Sequence, residues 1–293
     1  MAVSMRKQIA QNKRNTYLIM LVFVVIIAAI GWIISALANN YEILIWMVVA
    51  SLAYTLLQYF IADKIAILSA GAHRIEKSDD ARYYGIVEKL ANDAKIPMPK
   101  VYIINDSAPN AFATGRDPEH SSVAATTGLL EVMNDKELRA VIAHELSHIK
   151  NFDIRVSMLV FGLVSIIGIV SDFGLRVLFY SDRDEENNSP IGMLIAIITL
   201  LLSPIVATLV QLGISRQREY LADASAASIL GGPDDMINAL VKLDQHARPM
   251  HQQNVAAEAL YISNPLKKSL IGKIFSTHPS IESRIERLEN AKK

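Results

Sequence analysis

Long apolar runs alternate with mixed polar stretches along the chain, and the runs predict its first elements. Thr16 to Leu37, "TYLIMLVFVVIIAAIGWIISAL", carries no charge. At ~1.5 Å per helical residue it is long enough to cross a hydrocarbon core of about 30 Å. Ile43 to Ala62 is a second run of this kind, and only "ANNYE" separates the two, so they are expected to form a tight transmembrane hairpin. A cleaved leader fits poorly, because the first run exceeds a signal peptide's apolar region and a second span follows at once. A third run, Val156 to Val170, continues through Asp172 and Arg176 to Tyr180. Those two charges either pair one helical turn apart or mark the membrane's edge. The fourth, Ile191 to Ile214, is charge-free, with a kink expected at Pro204.

The polar stretches carry a different pattern. "KVYII", "NAFATG" and "SVAATTG" predict short strands, and "DKELRAVIAHELSHIKN" predicts a helix capped by Asp135. After the fourth run, "SRQREYLADASAASIL" and "PDDMINALVKLDQHA" predict two helices separated by Gly231, Gly232 and Pro233. A last helix, "PSIESRIERLENAKK", places Ile281, Ile285 and Leu288 on one face. The expected fold is a mostly α membrane protein with four hydrophobic helices and a small α+β domain. Its parts are an N-terminal segment (1–15), a transmembrane hairpin (16–62), a first domain half (63–154), a hydrophobic hairpin (155–214) and a second half (215–293).

Charge orients this arrangement. Arg6, Lys7, Lys13 and Arg14 precede the first span and no basic residue follows it in the short loop. By the positive-inside rule the N-terminal segment and both domain halves face the cytoplasm, while the acidic "SDRDEENNSP" loop lies outside. Of 293 residues 52% are hydrophobic and the formal net charge is +0, which leaves no basic footprint for a nucleic acid. There is no cysteine, so any metal must be held by His, Asp or Glu.

One stretch supplies those donors. In "AHELSH", His144 and His148 lie one turn apart on one helix face, where both imidazoles reach a single zinc ion, and Glu145 flanks the open coordination position as a general base. Asn151 and Ile154 stand where the metzincin extension would need Gly and His. "REYLAD" offers a third ligand in Glu219, with Asp223 one turn later as an acceptor for a ligand imidazole, unless both belong to a solvated helix face. His278, before Pro279, either donates to a developing oxyanion or caps the last helix. Arg284 either orients carboxylates or lies on the surface.

Together "HELSH", "REYLADA", "NAFATG" and "THPSIESRI", in this order and with two N-terminal spans, closely resemble the bacterial HtpX-type membrane zinc metalloproteases, relatives of the CaaX prenyl protease. The resemblance implies a gluzincin-like endopeptidase holding one zinc ion per chain, in the plasma membrane, with membrane proteins as substrates and quality control as its task. It assigns His144, His148 and Glu219 as ligands, Glu145 as base and Asp223 as the carboxylate behind them. It also makes "NAFATG" an edge strand lining the cleft, with Asn110 at its start as a substrate-binding candidate unless Pro109 and Asn110 simply form a β-turn. His278 and Arg284 are candidates for substrate or transition-state contact from their own positions. The competing readings are a zinc aminopeptidase, for which no amine-capturing motif is present, and a zinc-stabilised membrane scaffold, which would have no need of Glu145. Nothing in the sequence sets an oligomeric state.

Overall fold

The computed structural model describes residues 2–165, 216–251, 260–263 and 279–291. Helix α1 (Ala2–Ala38) extends fourteen residues before Thr16, and α2 (Glu42–Ser69) continues beyond Ala62, so both apolar runs sit inside longer helices. Both are long and apolar enough to cross a membrane. Among the described residues, every exposed large hydrophobic except Met98 and Val241 lies on α1, α2 or the turn joining them, including Leu21, Trp32, Trp46 and Leu56. An apolar surface so concentrated requires an apolar surrounding. Residues 153–165, the start of the third run, are helical. Val156, Val160 and Leu163 pack there against Ile19, Phe23 and Ile30 of α1. The rest of the third run and the whole fourth lie outside the described residues, as does His278.

The remaining elements are β1 (Ala72–Arg74), α3 (Ala81–Ala94), β2 (Lys100–Ile104), β3 (Ala111–Asp117), β4 (His120–Thr126), α4 (Thr127–Val132), α5 (Asp135–Lys150), α6 (Arg216–Leu230), α7 (Asp234–Gln245) and α8 (Ile281–Asn290). The sheet runs in the order β1-β2-β4-β3, parallel between β2 and β4 and antiparallel elsewhere, with β3 at one edge. The three expected strands are present. "SVAATTG" does not remain extended to its end, because Thr126 accepts from the Leu129 N–H and starts α4.

Strand periodicity divides the buried residues. Val101, Ala111, Ala113, Val123 and Ala125 point into a core shared with Leu90 of α3, Leu138, Val141 and Leu146 of α5, and Leu240 of α7. Between them Phe112 and Ala124 point the other way, with Ile104, toward Ala66, Ile67 and Ala70 at the end of α2. The sheet is therefore a partition, with the helical core on one face and the root of the membrane hairpin on the other.

Helix α5 runs through this core, with eleven buried side chains from Glu137 to Ile149. Its cap is Asn134 and not the expected Asp135. The Asn134 side chain accepts from the N–H groups of Lys136 and Glu137, and Glu137 accepts the Asn134 N–H in return, which closes a capping box. Lys242 of α7 donates to the same Glu137 carboxylate at 2.7 Å. The N-terminus of the helix that carries "HELSH" is thereby fixed from two sides.

Candidate metal centre

The α5 turn brings His144 Nε2 and His148 Nε2 to 3.1 Å. Helix α6 reaches them from the other domain half and sets the Glu219 carboxylate 3.7 Å from each of these nitrogens. A tetrahedral ion with ligands at ~2.0–2.1 Å separates its donor atoms by about 3.3 Å, so the three side chains already stand at nearly the spacing of a metal centre. His144 is fully buried, while His148 and Glu219 retain 14% and 8% side-chain exposure, so the cluster opens toward solvent on their side.

Behind each imidazole stands a carboxylate. His144 Nδ1 lies 2.9 Å from Asp223 Oδ1, and His148 Nδ1 lies 2.9 Å from Asp153 Oδ2. Each ring therefore donates its Nδ1–H to an aspartate and turns the Nε2 lone pair toward its neighbour. Two lone pairs and a carboxylate converging at 3.1–3.7 Å repel one another unless positive charge sits among them. The donor set thus fits a divalent cation that accepts nitrogen and oxygen.

The carboxylates make the site favour positive charge, a proton on His144 in the metal-free protein or a metal ion in its place. Burial alone would lower the His144 pKa, but the Asp223 and Glu219 carboxylates outweigh it and raise the value to about 9. Burial alone would raise the Asp223 carboxyl, but the Arg284 guanidinium outweighs that and holds it at about 2. Arg284 is only 1% exposed and grips Asp223 with a two-pronged contact, Nε to Oδ2 at 2.8 Å and Nη2 to Oδ1 at 2.6 Å. Its contact with His144 Nδ1 is 3.4 Å and places it beside the ring, whose Nδ1–H is already given to Asp223.

Glu145, 2% exposed, follows His144 on α5. The fully buried Tyr83 senses its charge, since burial first and Glu145 second raise that phenol's pKa well above its ordinary value.

Of the sequence candidates, the structure brings together His144, His148, Glu219, Asp223 and Arg284. Arg284 is not on the surface; it holds a carboxylate, which favours that reading over substrate or transition-state contact. Asn110 departs from its expected place in substrate binding. It is 2% exposed, its Nδ2 donates to Ser263 O at 2.9 Å and contacts Met250 Sδ at 3.5 Å, and its Oδ1 accepts from Ser263 N at 3.2 Å. Residues 260–263 lie along the beginning of β3, where Ile262 N–H donates to Ala111 O and Tyr261 bridges Phe112. Asn110 extends that pairing by one step. Asp153 was not anticipated, because it follows Phe152, whose φ of +60° breaks the helical spacing on which the sequence reading relied.

Comparison with known proteins accords with this geometry. Residues 77–292 match peptidase family M48. The chain is 46% identical over 281 residues to a "Protease HtpX homolog" of Tropheryma whipplei (strain Twist), covering 96% of each chain. It is 43% identical over 296 residues to the protein of the same description from Streptococcus gordonii, covering 96% of this chain and 98% of that one. The crystal structure of S. mikatae Ste24p shares the fold with a TM-score of 0.51 at 21% identity, over 84% of this chain and 58% of that chain. The chain belongs to peptidase family M48 and is a membrane metalloendopeptidase.

Proposed function

We propose that this chain is a multi-pass plasma-membrane endopeptidase holding one zinc ion on His144, His148 and Glu219, which cuts misfolded or damaged membrane proteins on the cytoplasmic side. The convergence of two aspartate-anchored imidazoles and a carboxylate carries the metal reading. Two imidazole nitrogens and a carboxylate oxygen suit zinc, which when bound would supply Lewis acidity toward a peptide carbonyl and the attacking water. Glu145 takes a proton from that water on a carboxylate oxygen and returns it to the leaving amine nitrogen. Asp223 and Asp153 hold the two imidazoles in the tautomer that leaves Nε2 free. Edge strand β3 packs against α5 and, beyond Ala111 and Phe112 where residues 261–262 already pair with it, gives an extended substrate a backbone to pair with.

The cytoplasmic assignment draws support from the position of the centre. Asn12, in the basic N-terminal part of α1, touches Asp153, so the cluster lies at the same end of the membrane helices as Lys13 and Arg14. The two domain halves, 63–154 and 215–293, then meet on that side around the metal.

Glu145→Gln tests the reading. It leaves all three donors in place, so metal content should stay stoichiometric while cleavage of an unfolded membrane protein falls at least about a hundredfold. Near-normal cleavage by that variant, or cleavage by the wild type that persists in a metal chelator, would overturn it.

A further inference from the structure

The side chain that completes the surroundings of His148 comes from the first membrane helix. Asn12 is 3% exposed, and its Nδ2 donates to Asp153 Oδ1 at 2.6 Å and to the Asn151 carbonyl at 2.9 Å. Both partners are acceptors, so the nitrogen must face them. The other oxygen of Asp153 receives His148 Nδ1–H. One carboxylate thus links a membrane helix to a metal-ligand candidate, and Asn12 and Asp153 lie 141 positions apart in the chain.

The contacts around this link hold the short turn between α5 and the next helix. Phe152, at φ +60°, has the Lys13 ammonium 4.7 Å and the Arg155 guanidinium 5.1 Å from its ring centre. Arg155 also lies over Tyr59 of α2 and donates to the Arg116 carbonyl of β3. Further along, α1 packs on the helical residues after the turn through Ile19, Phe23 and Ile30. The position of Asn12 is therefore set by packing at membrane depth, and the position of Asp153 is set in part by Asn12.

We infer that Asn12 is a positioning residue of the metal centre, through which docking of the first membrane helix governs how firmly His148 holds its ion. This rests on the metal reading proposed above. A carboxylate fixed at both oxygens presents a single orientation to the imidazole. Arg218 Nε lies 4.0 Å from the Asp153 oxygen that Asn12 holds, too far for a hydrogen bond. Loss of the 2.6 Å Asn12 donor therefore loosens the carboxylate and lets it turn, and the ring turns with it. Loss of a group directly hydrogen-bonded to a ligand weakens metal binding by ~10- to 100-fold, and a group one bond further out acts by less, about three- to tenfold.

The test uses the full-length protein in detergent, titrated with zinc against a competing chelator, and a cobalt-substituted sample for its visible absorption. Asn12→Leu removes the donor while keeping the same branching, and should weaken zinc binding about three- to tenfold, with a shifted cobalt spectrum. In an Asp153→Asn background the same change should have no further effect, because its route to His148 is already altered. Asn12→Asp, matched in shape but without the donor, should lose at least as much and serves if the leucine variant fails to fold. Wild-type affinity in the variant that folds would overturn the inference, as would an undiminished loss in the Asp153→Asn background. His148→Ala separates the two readings. Stoichiometric zinc in that variant would overturn the metal centre itself, whereas lost zinc there beside normal binding in the Asn12 variants would overturn only the role of Asn12.

Discussion

Replacing Arg284 with methionine tests whether this residue works on the substrate or on the scaffold. The guanidinium is 1% exposed and makes two charge-assisted bonds to a carboxylate that is itself 2% exposed. Methionine fills much of the space but leaves Asp223 ionised and buried with the His144 ring and no guanidinium beside it. Removing one partner of a buried ion pair typically costs about 3–5 kcal/mol. For a protein near this size each kcal/mol moves the midpoint by roughly 2–4 °C, so the metal-free variant should unfold on the order of 10 °C below wild type. The folded-state pKa of Asp223, about 2, is depressed, so the pair's contribution is fully present above the unfolded-state value and is lost only as pH falls through the folded one. An assay at pH 7 therefore measures it whole. Thermal unfolding of chelator-treated protein, followed by metal content of the untreated variant, gives the readout. Unfolding within a few degrees of wild type with stoichiometric metal and a fall in kcat alone would refute this account and return Arg284 to substrate binding.

Two further outcomes follow from the same geometry. Glu219→Ala should strip most of the metal and abolish cleavage, whereas Asp223→Asn, which keeps an acceptor for His144, should cost roughly 10- to 100-fold in affinity or activity; metal per mole of each purified variant decides, and the opposite pattern would reverse the two roles. A single cysteine at Tyr41, in the exposed turn between α1 and α2, should react with an impermeant maleimide on intact cells, and one at Glu119, in the exposed β3–β4 turn, only after lysis; labelling of Glu119→Cys from outside would contradict the cytoplasmic assignment.

How much of this was legible in the sequence depends on the distance over which each signal acts. The two membrane helices, three strands and the α5 turn are local patterns, and they appear where periodicity puts them. Asp223 was readable as well, because one helical turn from Glu219 is a fixed offset. Helix α3 carried a usable signal in Tyr83, Val87, Leu90 and Ala94 behind an Asp80 cap, although no element was expected there. The Asn134 cap was equally available as Asn followed three residues later by Glu. Asp153 was harder, since a left-handed residue separates it from His148 and no helical offset crosses such a break. Asn12 and the Arg284–Asp223 contact depend on packing between distant segments. Nothing within a short window of the chain encodes them.

The anchoring of the two imidazoles has a consequence for biosynthesis. Asn12, Asp153 and His148 form one chain of contacts, and His144, Asp223 and Arg284 form the other. A nascent polypeptide emerging from the ribosome holds the first of these as soon as residue 153 can fold back on α1, but the second must wait until residue 284 is free. The full set of contacts around the two imidazoles is thus completed only once Arg284 has left the ribosome, so no shorter translated fragment assembles the whole centre.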